Sequence, residues 1–162
     1  MQYAEKRHEI KTGDVLAWSS NCIQCKIVRA WTGETYSHVG IAWVIAGRVL
    51  ILEAVTSGIR IFPLSKELPS YWIPIPPELK IDINVLIKTA LSHMGEPYSR
   101  WQAIRAGFGL KTSGTSWQCA SFTMKCLAAA GLVIDCDETP GKLIEKLQEL
   151  GSFVEILKDN NL

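Results

Sequence analysis

Two runs of apolar, β-rich sequence stand back to back in SHVGIAWVIAGRVLILEAV, residues 37–55, and they constrain the fold more than any other feature of the chain. The Ala46-Gly47 pair between them is a strong hairpin signal. A strand with one face in water alternates apolar and polar residues, whereas VLILEAV is apolar at both parities. The hairpin is therefore expected inside a sheet covered on both sides. Further strands are expected from KTGDVLAWS, after a turn at Gly13-Asp14, and from SGIRIFPLS, with Arg60 facing out. ELPSYWIPIPPELK is proline-rich and reads as a strand edge or an extended connection, because proline donates nothing to a central ladder.

The covering layers are expected mainly from the second half. In IDINVLIKTALSHMG, Ile83, Leu86, Ile87, Ala90 and Leu91 share one helical face and Gly95 follows the end. WQCASFTMKCLAAAG reads as a helix with candidate caps in Thr112–Ser116 and a stop at Gly131. A capped helix from about Thr139 precedes a short final strand. An earlier helix is expected in NCIQCKIVRAWTG, with apolar residues at 23, 27, 28 and 31 and a cap at Gly33. The glycine-bearing connection EPYSRWQAIRAGFGLKTSGTS is expected to hold a short helix near Trp101–Ala106. Strands followed by helices give an α+β fold with a central antiparallel sheet packed with helices.

At 162 residues the chain is sized for one domain over 1–162, with a core from about 11 to 157. A formal net charge of +1 leaves no electrostatic footprint for nucleic acid. No apolar run approaches the roughly 18 residues of a membrane span, and MQYAEKRHEIKTGD holds no signal-peptide core. The expected location is the cytoplasm, or a phage particle or lysate reached without a signal peptide. Five cysteines, at 22, 25, 119, 126 and 136, form no even framework and are read as reduced thiols. The Cys22/Cys25 pair has no second CxxC and no HxxxH to complete a zinc site. It reads as two small semi-buried residues on the early helix, so no metal is expected.

A cysteine acts as a nucleophile only as thiolate, and its free pKa of about 8.5 requires a nearby base or a favourable field. Cys119, at the start of its helix, meets unpaired N–H groups and the positive end of the helix dipole. Cys126 lies two turns further in, and Cys136 follows the helix in an acidic loop. A cysteine in an alanine-rich helix is also an ordinary core residue, so a base has to be found. Of three histidines, His8 is in the N-terminal segment and His93 in a C-terminal helical turn, where a structural role suffices. His38 heads the first strand of the hairpin. With Ala46-Gly47 as the turn, Gly40 falls opposite Glu53 and His38 diagonal to it. With Ile45-Ala46 as the turn, His38 falls directly opposite. Either register puts His38 and Glu53 on one face, and Gly40 and Ala42 on that face leave room for another element to approach. A carboxylate in such a strand needs a partner, and a structural His–Glu pair meets that need as well as a catalytic one.

The segments GDVLAW, YSHVGIAWV, ILEAV, GEPYS and WQCASFTMKCLAAAGL, in that order, resemble the circularly permuted branch of the NlpC-type papain-like cysteine hydrolases, the YiiX-like group. The resemblance implies a papain-like fold with Cys119 as nucleophile at a helix N-terminus, His38 as base and Glu53 as the polar third member. It also implies no cofactor. Tyr98 of GEPYS matches a tyrosine lining the site in related proteins, and Tyr36, close to His38 in sequence, is a second candidate for substrate binding or oxyanion support. The implied activity is hydrolysis of amide bonds, in peptides or peptidoglycan-derived peptides, through a thioester. The alternatives are an acyl-lipid hydrolase or acyltransferase, by similarity to lecithin retinol acyltransferase relatives, and an inactive binding module.

Overall fold

The structure is a computed structural model that describes residues 2–19, 35–96 and 119–159. A short helix α1 (Tyr3–Lys6) leads into β1 (Val15–Trp18). The hairpin β2 (His38–Ile45) and β3 (Arg48–Val55) follows, then β4 (Gly58–Pro63), a 3-10 turn (Leu64–Lys66) and β5 (Ser70–Ile73). Helices α2 (Ile83–Ser92), α3 (Cys119–Ala129) and α4 (Pro140–Glu149) precede β6 (Glu155–Leu157). The strands form one six-stranded sheet in the order β4-β3-β2-β1-β5-β6, with every neighbouring pair antiparallel. The α+β class read from the sequence is the class of the structure.

The β2–β3 turn is Ala46-Gly47, both at positive φ, with Ile45 paired to Arg48. Alternation along the strands separates two cores. Val15, Ala17, Val39, Ile41, Leu52 and Ala54 face a core shared with α2, α3 and α4. Leu16, Trp18, Ala42, Ile51 and Trp72 face a second core closed by Tyr3, Ile10 and Leu64. Both faces of the hairpin are thus covered, which is why its strands carry no polar stripe. Helix α3 packs on β2 and β3 and against α2 and α4. Each fully buried leucine or isoleucine here contributes about 1.5–3 kcal/mol.

The helix ends follow the local chemistry. The Asp82 carboxylate accepts from the Asn84 and Val85 amides, and the Thr139 hydroxyl accepts from the Lys142 amide. Gly131, at positive φ, terminates α3. Three expectations need correction. β5 is an interior strand paired to both β1 and β6, because Pro69 and Pro74 flank it and neither interrupts its ladder. Leu91 is 38 % exposed in an open groove with Trp43 and Ile87, off the buried stripe of Leu86 and Ala90. Arg60 does not face out: its side chain turns onto Glu53, directly across the β3–β4 ladder. The expected helix around Cys22 and Cys25, the short helix near Trp101 and the caps at 112–116 lie outside the described residues.

Candidate active site

Glu53 is 2 % exposed in the middle of β3. A carboxylate so placed is tolerable only if both oxygens are occupied, and they are. Oε2 accepts from His38 Nε2 at 2.6 Å, and Oε1 accepts from Arg60 Nε at 2.8 Å, with Arg60 Nη2 at 2.7 Å. Burial alone would raise the Glu53 pKa, but the hydrogen bonds and charges of His38 and Arg60 outweigh it and lower the value. An ionised carboxylate is acceptor-only, so the proton of that short contact belongs to Nε2, and Nδ1 is the nitrogen left for other chemistry.

The imidazole also meets Cys119. The thiol opens the described part of α3, is 7 % exposed, and is hydrogen-bonded to His38. Two backbone amides, Val39 and Ala120, also donate to the sulfur. Burial pushes the Cys119 thiol up, yet the imidazolium and these donors together bring it below its usual range. His38 responds in the opposite direction. Desolvation would lower it, but the Cys119 thiolate and then Glu53 push it up to about 10. A thiol lowered and an imidazole raised by one another describe a thiolate–imidazolium pair.

The route by which the sulfur reaches the imidazole differs from the sequence expectation. Parity puts His38, Gly40 and Glu53 on the face of the second core, opposite α3, and the Trp18 ring lies against His38 there, 5.4 Å between centroids. Gly40 opens no approach for the cysteine helix: a Cβ on it would lie 2.8 Å from Ile51 Cγ2 and 3.2 Å from Glu53 Cβ. The thiol instead arrives past the start of β2. That strand is paired to β1 from His38 onward but to β3 only from Ile41. The Ala42 and Val44 amides point to the β1 side, bonding Asp14 O and Thr12 Oγ1. Alternation turns the Val39 amide the other way, into the gap where the β3 ladder has ended, and there it donates to the sulfur.

Of the residues singled out in the sequence, the structure brings Cys119, His38 and Glu53 into one hydrogen-bonded chain. Tyr36 is not joined to it: its ring meets Tyr71 edge-on at 5.1 Å, and among the described residues no hydrogen bond links it to His38 or Cys119. Tyr98 lies outside the described residues. His93 caps α2 and pairs with Glu96 at 2.8 Å, and His8 is exposed beyond α1. Cys126 stays a core thiol, pushed up to about 12 by burial. Sequence reasoning missed Arg60, although a two-residue turn at Thr56-Ser57 pairs Val55 with Gly58 and so sets Arg60 opposite Glu53.

The chain matches no family model and no curated protein. Among solved structures it is similar to the metalloprotein YiiX from Escherichia coli O157:H7 (DUF1105), with a TM-score of 0.59 and 22 % identity. The match covers 75 % of this chain and 67 % of that one. With a six-stranded antiparallel sheet, flanking helices and that likeness, the chain shares the α+β fold of YiiX.

Proposed function

We propose that this chain is a cysteine hydrolase of amide bonds, acting on peptides or cell-wall peptides, on a papain-like scaffold of the circularly permuted NlpC type. One observation carries the reading: a buried thiol, an imidazole and a carboxylate linked in series, with thiol and imidazole displaced toward the ion pair. The strand histidine and glutamate precede the cysteine helix in the chain, the order the permuted branch requires.

The geometry suits the following steps. The Cys119 thiolate attacks the carbonyl carbon, and backbone N–H groups near the start of α3 would receive the oxyanion. Nδ1–H of the His38 imidazolium protonates the leaving amine as the tetrahedral adduct collapses to a thioester. Water, deprotonated by Nδ1, attacks the thioester carbonyl and expels the thiolate. Throughout, Glu53 holds Nε2–H and with it the ring orientation. YiiX is a metalloprotein by name, but the donors here do not fit a metal site. His38 is already bonded to Glu53 and Cys119, and among the described residues no group of three His, Cys, Asp or Glu side chains is arranged to hold an ion.

The test is alkylation of each cysteine against pH, read by peptide mass mapping in wild type and H38A. Cys119 is expected to react well below about pH 8 and to lose that reactivity without His38. Equal reactivity in H38A would reduce Cys119 to a core thiol. Substrate class is then assigned with muropeptide-like and acyl-lipid substrates: turnover of lipid esters alone would replace the peptidase reading with acyl-lipid hydrolysis, and a C119A protein retaining full biological effect would replace it with a binding module.

A further inference from the structure

The carboxylate that orients His38 is itself held. The Arg60 guanidinium occupies Glu53 Oε1 through both Nε and Nη2, which leaves Oε2 as the oxygen aimed at the imidazole. Arg60 Nη2 continues to Glu67 Oε1 at 3.1 Å, and the guanidinium lies over the Phe62 ring, 4.3 Å from its centroid. Glu67 also works through its backbone: its carbonyl accepts from Trp18 Nε1 at 2.6 Å, and Trp18 is the ring lying against His38. The contacts therefore close a circuit, His38–Glu53–Arg60–Glu67–Trp18–His38, which holds the imidazole at Nε2 and sets the tilted Trp18 ring beside it. Arg60 is the only cation in that circuit other than His38 itself.

We propose that Arg60 is a positioning residue for the hydrolysis proposed above, fixing which Glu53 oxygen serves His38 and keeping that carboxylate ionised, with Glu67 and Trp18 closing the bracket around the ring. The inference rests on the hydrolase reading. Arg60 touches neither thiol nor substrate carbonyl; it acts through Glu53. Among the described residues, the charged and titratable groups facing this hydrogen-bonded series are Cys119 from α3, His38 from β2, Glu53 from β3, Arg60 from β4 and Glu67 after the 3-10 turn. Removing the guanidinium relieves its repulsion of the imidazolium, and against that it has three effects of the opposite sign. Glu53 loses a permanent cation and protonates more readily, the imidazole loses its fixed acceptor, and the thiolate loses a positive charge from its field. Each disfavours the thiolate–imidazolium pair at low pH.

The experiment is the pH profile of Cys119 alkylation in wild type, H38A, R60M and R60Q, with thermal unfolding to establish that each protein is folded. R60M is expected to move the acid limb up by about one pH unit while Cys119 still reacts. R60Q, which keeps a hydrogen-bond donor but no charge, is expected to move it the same way, and it carries the test should R60M not fold. Folded arginine variants whose acid limb coincides with that of wild type would overturn the positioning role. Failure of the underlying reading looks different: wild-type Cys119 would then be unreactive at low pH, or H38A indistinguishable from wild type.

Discussion

At Cys119 and Cys126, two thiols of one helix, burial pushes in the same direction and the outcome differs because of neighbours. Among the described residues Cys126 has only the charge of Lys125 to set against desolvation, whereas Cys119 has an imidazolium and two amides. Glu53 anchors that difference, and its own shift makes a statement about stability. Its folded pKa lies below its unfolded value, so its contribution is present above the unfolded value, about 4.3, and is lost as pH falls through the folded one. E53Q is therefore expected to be less stable than wild type at pH 7 by about 2 kcal/mol, below the full cost of breaking a buried pair because Arg60 is partly exposed. The gap should narrow as the solution is acidified toward pH 3. Thermal unfolding of both proteins across that range measures it, and a gap independent of pH would separate Glu53 from ionic stabilisation.

Strand pairing is where the sequence was most legible. A two-residue turn and a period of two place Glu53 beside Gly40 and diagonal to His38, with no tertiary knowledge needed. The same rule applied to the next hairpin gives the Arg60–Glu53 pair; the alternation of one strand, taken alone, concealed it. The side from which the thiol arrives was not legible. It depends on where the β2–β3 ladder stops, a property of two strands and a helix together, and parity alone pointed to the wrong face. Gly40 then takes on a different meaning, as a close approach of β2 to the Ile51 and Glu53 side chains. G40A is expected to destabilise the protein by about 1–3 kcal/mol through overpacking and to slow Cys119 alkylation by displacing Glu53. Denaturant unfolding and alkylation at one pH check both; an unaltered alkylation rate would show that Glu53 tolerates the added methyl group.

Across the whole molecule, Asp14 ties the centre of the sheet to the segments beside it. Its buried carboxylate accepts from the Lys11 amide, from Trp72 Nε1 on β5 and from the Ile75 amide, while its backbone oxygen accepts from Ala42 on β2. D14A leaves a buried indole N–H and two amides without that acceptor, and is expected to lower stability by about 2–3 kcal/mol. Far from the thiol, it should leave the pH profile of Cys119 in the folded protein unchanged; a shifted profile would mean that the sheet centre and the site are coupled. The fold class was readable because the hairpin's two-sided hydrophobicity demands helices on a sheet, whereas β5 was misjudged because the prolines that bracket a strand look, in one dimension, like prolines within it.

The start of β2 supplies the imidazole and an amide donor, while α3, which supplies the sulfur, is a late segment of the same chain. During synthesis from the N-terminus the imidazole half of the site is therefore made first and the thiol half last. The thiol and the imidazole that shift one another's pKa therefore meet only once α3 has been made and has docked on β2 and β3.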